Sequence, residues 1–257
     1  MSNAPLSLIF TGTGGVRATP LFGCDCPACQ RARSAPQYRR RPCGALIDCE
    51  GELTLLDAGL DRLAQRFQPG ELRRILLTHY HMDHVHGLFP LRWGEGDALP
   101  VFSPPDPQGC DDLFKHPGLL DFHFLKQPFH AYSMGAMSVT PIPLNHSRMT
   151  WGYLIAWQAI RIAWLTDTKG LPENSYDFLR RQRITGLIVD CTWPPGPAKN
   201  HNNIHEAIAL CRAIQPERAW LTHIDHALDE WLLSHSLPAG IAVAQDNQRL
   251  SFGLTSG

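Results

Sequence analysis

The chain has 257 residues, 44% of them hydrophobic, and a formal net charge of −1. Length and apolar content suffice for one large core, so a single domain over residues 1–257 is the expectation. The near-neutral charge excludes the electrostatic footprint of a protein that grips long nucleic acid, and no run approaches the ~20 apolar residues that span a membrane.

The opening "MSNAPLSLIFTGTGG" lacks the basic start and long apolar stretch of an export signal, so the expected location is cytoplasmic. Its apolar part predicts a first strand, "LSLIFTGT". Next comes "GCDCPAC", with three candidate ligands, Cys24, Cys26 and Cys29, where a closed tetrahedral zinc site needs four. The chain has 8 cysteines, and in one of this length without an export signal metal binding or burial is preferred to disulfides. Cys43 and Cys49 are the nearest candidates for the fourth ligand, though Cys49 falls on a predicted strand where burial accounts for it. The run Arg39-Arg40-Arg41 reads as a solvated loop, contact with a substrate phosphate being the alternative.

"ALIDCEGELTLLDAG" reads as a hairpin turning at Glu50-Gly51, followed by a helical "LDRLAQRF" and an apolar strand "RRILL". Directly after that strand stand His79, His81, Asp83 and His84. Side chains alternate along a strand, so these four cannot share one face, and the segment must be a loop folded round something, for which a metal pair is the natural choice. Asp83 makes the set mixed in nitrogen and oxygen, as suits a site that keeps positions open for water and substrate. His86 is a spare histidine, supporting or exposed.

The second half alternates more regularly. Strands "VTPIPLNH", "WGYLIAW", "RIAWLTD", "GLIVDC" and "RAWLTH" are interspersed with helical "NSYDFLRRQ", "IHEAIALCRAI" and "DEWLLSHS", a pattern that suits two sheets packed face to face with helices outside. His146, Asp167 and His223 each stand where a strand ends. Singly each reads as a hydrogen-bonded cap, but strands that deliver their ends to one edge can converge them on one site. The proline-rich "SPPDPQG" and "TWPPGPAKN" read as surface loops near strand ends. No repeat, low-complexity tract or linker divides the chain.

The spacing His79-x-His81-x-Asp83-His84, followed by His146, Asp167 and His223 and preceded by Asp57 in "LLDAG", resembles the signature of the metallo-β-lactamase superfamily. "LTHYHMDHVHGLFPLRWG", "GCDDLFKHPGLLDF", "PLNHSRMTWGYL" and the N-terminal "TGTGG" with its triple-cysteine segment resemble the PhnP-type phosphodiesterases of the carbon–phosphorus lyase pathway, over nearly the whole chain. The resemblance implies an α/β fold, an αββα sandwich, with His79, His81 and His146 on one metal, Asp83, His84 and His223 on the other, and Asp167 bridging. It implies two Mn²⁺, zinc or iron also being compatible with the ligands. It further implies that His226 completes a structural Zn²⁺ site with Cys24, Cys26 and Cys29, and that His201 in "AKNHNN" donates a proton, giving a catalytic set of His201 and Asp83.

The implied reaction is hydrolysis of 5-phosphoribosyl 1,2-cyclic phosphate to ribose 1,5-bisphosphate in phosphonate catabolism, with 2′,3′-cyclic nucleotides as further substrates. The expected partner is thus a small phosphorylated sugar or nucleotide, with no long nucleic acid or membrane; a homodimer is compatible with the resemblance. The alternatives are a tRNA 3′-end endonuclease, a thioester or lactone hydrolase, and a zinc-stabilised binding module without catalysis. Near-neutral charge and the absence of a long basic insertion weigh against the first, and retention of all seven ligands against the last.

Overall fold

The computed structural model of the chain describes residues 5–253. In chain order the strands are β1 (Leu6–Gly12), β2 (Gly44–Cys49), β3 (Glu52–Leu56), β4 (Leu72–Leu76), β5 (Leu99–Ser103), β6 (Leu120–Phe124), β7 (Tyr132–Met134), β8 (Met137–Pro143), β9 (Trp151–Trp157), β10 (Ile160–Leu165), β11 (Gly186–Asp190), β12 (Arg218–Thr222), β13 (Ile241–Val243) and β14 (Arg249–Phe252). Helices α1 (Pro27–Ser34), α2 (Leu63–Arg66), α3 (Met82–Val85), α4 (Leu88–Leu91), α5 (Asp111–Lys115), α6 (Glu173–Arg180), α7 (Ile204–Ile214) and α8 (His226–Trp231) lie between them. One seven-stranded sheet has the order β14-β1-β2-β3-β4-β5-β6 and the other β13-β12-β11-β10-β9-β8-β7, both mixed in direction.

Alternation along the strands explains the layering. On β10 and β11, Ile162, Trp164 and Ile188 face Leu8, Phe10 and Ile47 of the first sheet across the central core. Their neighbours Ala163, Leu165, Leu187 and Val189 point the other way, onto Leu179 of α6 and Ile204 and Ala207 of α7. On the first sheet Leu55 and Ile75 turn outward to Leu63, Leu88 and Leu113 from α2, α4 and α5. Both faces of the inner strands are covered, which is why "GLIVD" reads as a continuous apolar run. The result is the αββα sandwich.

The β2–β3 hairpin turns at Glu50 and Gly51, whose φ values of 54° and 88° suit the tight connection of a right-twisted pair. The predicted helix over "LDRLAQRF" is shorter, spanning only Leu63–Arg66. The chain before it is pinned to the histidine loop: Ala58 N donates to His84 O at 2.8 Å, and a Cβ on Gly59 would fall 1.7 Å from Asp83 O. The helix predicted over "DEWLLSHS" starts earlier, at His226, because the Asp225 carboxylate accepts from Ala227 N as its N-cap.

The solvated-loop reading of Arg39-Arg40-Arg41 holds for the exposed Arg39 and is corrected for Arg40 and Arg41. Arg40 is buried and donates through Nε and Nη2 to the Asp229 carboxylate at 2.7 and 2.8 Å. Arg41 Nε donates to Asp246, and Arg39 Nε to Ala32 O. This segment clamps α8 and the β13–β14 connection to the N-terminal loop. Among the described residues no helix is long and apolar enough to cross a membrane.

Candidate metal centre

The histidine loop begins where β4 stops, and His146, Asp167 and His223 follow the ends of β8, β10 and β12. The two sheets are stitched together at that edge: Tyr153 Oη donates to Leu77 O at 2.6 Å and Trp151 N to Thr78 O at 2.9 Å, one residue before His79. Strands of both sheets thereby deliver all seven candidate ligands to one place.

They form two sets. His79 Nε2 lies 2.9 Å and His146 Nε2 3.0 Å from His81 Nδ1, and Asp167 joins these three with ligand atoms all within 4.8 Å. Asp83, His84 and His223 make the second set. Asp167 lies between: its Oδ2 is 3.5 Å from His79 Nε2 and 3.3 Å from His84 Nε2, and its Oδ1 is 3.4 Å from His223 Nε2.

The residues fit divalent cations. His84 Nε2 and His223 Nε2 are buried without a hydrogen-bond partner among the described residues, a costly state for a ring nitrogen unless a cation takes the lone pair. Donor separations in these sets suit ligands around a cation with bonds of about 2.0–2.2 Å. Four of the five histidine ligands have the far nitrogen held from behind: His84 Nδ1 lies 2.8 Å from Asp57 Oδ2, His79 Nδ1 3.0 Å from Thr78 Oγ1, His223 Nδ1 2.8 Å from Thr192 Oγ1 and His146 Nδ1 3.2 Å from Asn200 O. Such contacts fix ring orientation and tautomer. His86 is half-buried and belongs to neither set.

The electrostatics divide the sets. Burial would push the Asp167 carboxyl up, but His223 and His84 hold it well below the usual carboxylate range. Asp83, likewise opposed by burial, is brought to about 2 by His84 and His223. Burial, then repulsion from His84, holds His79 well below the ordinary histidine value, and burial with His146 takes His81 down to about 4. Those two nitrogens are unprotonated and ready to ligate at neutral pH.

His201, from the proline-rich loop, stacks on His223 with ring centroids 4.5 Å apart and planes 17° apart, and lies 5.1 Å from His146. Its Nδ1 is 2.7 Å from Oδ2 of Asp190, which is fully buried at the end of β11. Asp190, His201, His223 and Asp167 are close enough to share an ion, but Asp190 already accepts from Thr168 N at 3.0 Å and Asn202 N at 3.3 Å. We read it as the group that orients His201. The sequence reading missed Asp190 and Thr192; their only signal is position, at or after a strand end. It also missed Arg148, whose guanidinium donates to Asp106 Oδ2 at 2.9 Å, Gly109 O at 2.8 Å and Tyr80 O at 3.2 Å, bracing the histidine loop.

A second cluster lies where α1 meets α8. His226 Nδ1 is 3.6 Å from Cys24 Sγ and 3.5 Å from Cys26 Sγ, and Cys29 completes a group within 4.8 Å. Cys43 is elsewhere, its Sγ 3.4 Å from Thr222 Oγ1, and Cys49 is buried in β2. Burial pushes the Cys29 thiol up to about 12, so a bound cation is what would hold it as thiolate.

A two-sheet sandwich with paired His/Asp ligand sets at one edge defines a metallo-β-lactamase-type protein. Residues 54–224 match the Beta-lactamase superfamily domain, and the chain belongs to that family. It is 26% identical over 240 residues to a protein of Porphyromonas gingivalis named octanoyltransferase, covering 85% of this chain and 46% of that one. It is 32% identical over 108 residues to Ribonuclease Z of Pyrococcus abyssi, covering 38% of this chain and 29% of that one. The chain thus spans less than half the length of either relative. Among solved structures, one described as a new diphosphatase from the PhnP family superposes with a TM-score of 0.80 at 24% identity, covering 96% of this chain and 97% of that one. That likeness shows the fold.

Proposed function

We propose that the protein is a dinuclear metal-dependent phosphodiesterase that opens a small cyclic phosphate, 5-phosphoribosyl 1,2-cyclic phosphate being the first candidate and 2′,3′-cyclic nucleotides secondary ones. The observation that carries this reading is the pairing of two ligand sets, with Asp167 between them, and a His201–Asp190 pair stacked against them. His79, His81, His146 and Asp167 would hold one ion, and Asp83, His84, His223 and Asp167 the other, Mn²⁺ being the first choice and Zn²⁺ or Fe²⁺ compatible with the donors. When bound, the ions supply water activation at neutral pH and neutralise phosphate charge. Asp167 sets the spacing of the two ligand sets, and the backing groups Asp57, Thr78 and Thr192 keep the imidazoles aimed.

His201 handles the leaving group. With Nδ1 turned to Asp190, its Nε2 has no partner among the described residues and is free to protonate a departing sugar oxygen, which is a poor leaving group as an alkoxide. Cys24, Cys26, Cys29 and His226 would close round a structural Zn²⁺ with no open position.

The match to Ribonuclease Z over 108 residues supports a second reading, tRNA 3′-end cleavage. The net charge of −1 favours a small substrate. The name octanoyltransferase belongs to a protein of which this chain matches under half, and it carries no argument for acyl transfer here. Incubation of the Mn²⁺-loaded protein with the cyclic ribose phosphate, a 2′,3′-cyclic nucleotide and a pre-tRNA separates the readings. Ring opening to ribose 1,5-bisphosphate is the expected result; cleavage of the pre-tRNA alone would overturn it.

A further inference from the structure

A sugar cyclic phosphate with a second phosphate carries a dianion away from the reacting diester, and that group needs its own cation. Most basic side chains on the segments framing the site are engaged. Arg148 is bound by Asp106, Gly109 O and Tyr80 O, and Lys169 is paired with Glu206. Arg40 and Arg41 are tied to Asp229 and Asp246. Arg17 is itself paired with Asp225 but keeps Nη1 without a partner among the described residues, and Lys199 is unpaired there.

Arg17 is placed by the glycine loop. Ile224 N donates to Thr13 O at 2.8 Å and Gly15 N to Ile224 O at 3.3 Å, so the loop runs alongside the segment after His223. A Cβ on Gly15 would lie 3.1 Å from His223 Cε1, a tight contact that glycine spares the ligand ring. Two residues on, Arg17 Nε and Nη2 lie 2.9 and 2.7 Å from Asp225 Oδ2, while Nη1 has no partner among the described residues. The guanidinium carbon is 5.2 Å from the centroid of the Trp193 ring, and Trp193 N donates to Asn202 O at 3.2 Å, beside His201. Arg17 therefore lies beside both the segment after His223 and the turn carrying His201, and its side chain is 42% exposed.

We propose that Arg17 is the specificity residue for the substrate's non-reacting phosphate, an inference that rests on the phosphodiesterase reading. Asp225 and Trp193 hold the guanidinium in one orientation, so little side-chain freedom is lost when Nη1 meets a phosphate oxygen. Arg39-Arg40-Arg41, the cations the sequence singles out, are structural instead. Lys199 lies on an exposed loop with no partner among the described residues and is the competing candidate.

The test compares 2′,3′-cyclic AMP with its 5′-phosphorylated counterpart on the Mn²⁺-loaded protein, with bis(4-nitrophenyl) phosphate as reference, for the parent, Arg17→Met, Arg17→Lys and Lys199→Met. Arg17→Met should raise KM for the 5′-phosphorylated substrate by about tenfold or more, the worth of one charge-assisted hydrogen bond, with kcat and the other two substrates unchanged. Arg17→Lys, which keeps the Asp225 pair, should fall between. Equal KM changes with and without the 5′-phosphate mean a merely structural Arg17 and overturn the inference, as does loss of the preference in Lys199→Met instead. A parent active on the reference diester with an Arg17 variant indifferent to the 5′-phosphate removes this inference alone. A parent inactive on all three substrates removes the phosphodiesterase reading, and the inference with it.

Discussion

His201 and Asp190 form a pair in which the imidazole Nδ1 lies 2.7 Å from a carboxylate wholly enclosed by protein. Thr168 N and Asn202 N donate to the same carboxylate, so its position is held by the fold whether or not His201 is present. The proton on Nδ1 is thereby fixed, and Nε2 is the nitrogen available to a substrate.

Replacing His201 with Ala should leave metal content intact and slow release of a sugar hydroxyl by ~10² to 10⁴, while a nitrophenolate, stable without a proton, loses far less. Asp190→Asn should show the same contrast between leaving groups, and the double variant should fall no further than His201→Ala, because the two act as one unit. Rate assays on a 2′,3′-cyclic nucleotide and a nitrophenyl diester check both. Equal fold losses on the two substrates would remove leaving-group protonation from the account.

Asp167→Ala should abolish turnover in a folded protein. Its two oxygens face His79 and His84 on one side and His223 on the other, so its loss separates the two ligand sets. Elemental analysis should show at least one metal missing from the active site; full occupancy with near-parental activity would contradict the bridging role.

His226→Ala acts at a distance from the chemistry. It leaves Cys24, Cys26 and Cys29 one ligand short, so zinc content and melting temperature should both drop and the N-terminal loop should loosen from α8. Unchanged zinc and melting temperature would mean that the cluster does not depend on this histidine.

Proton release on metal loading should distinguish the two ligand sets. Burial would pull His223 down, yet Asp167 and Asp83 raise it to about 9, and Asp167 and Asp57 likewise carry His84 well above its ordinary value. Burial holds His79 and His81 low. In metal-free protein near neutral pH, the His84/His223 set therefore carries protons that a cation must expel, and the His79/His81 set does not. Affinity at the His84/His223 set should climb with pH, the share due to His223 ending at about 9, where it deprotonates unaided. Calorimetric titration of the metal-free protein in buffers of different ionisation enthalpy should find one phase releasing protons and one nearly silent; two silent phases would contradict it.

The parts of this molecule readable from sequence are those with a local spacing. The motif from His79 to His84, the turn at Glu50-Gly51 and the apolar runs ending in His146, Asp167 and His223 each declare themselves within a few residues. Asp190 does not, because its partners Thr168, His201 and Asn202 come from three segments that meet only in the folded chain. β6 escaped notice because its sequence "LDFHF" leaves charged and aromatic side chains exposed at a sheet edge, unlike the apolar pattern of an inner strand. Arg40 was misread for a related reason: a run of three arginines looks solvated until Asp229, far along the chain, is placed beside it.

β14 lies against β1, with Leu6 opposite Phe252 and Leu8 opposite Leu250, although most of the chain separates them. Of the strands described, a ribosome delivers β1 first and β14 last. Until residues 249–252 are made, an apolar strand waits with one row of backbone donors and acceptors uncovered, the state in which nascent sheets stick to one another. The wait reaches the metal edge as well, since Thr13 Oγ1 and Arg41 are both anchored on Asp246 in the connection just before β14. The order of synthesis thus leaves the glycine loop beside His223 without its Asp246 anchor until nearly all of the described chain has been made.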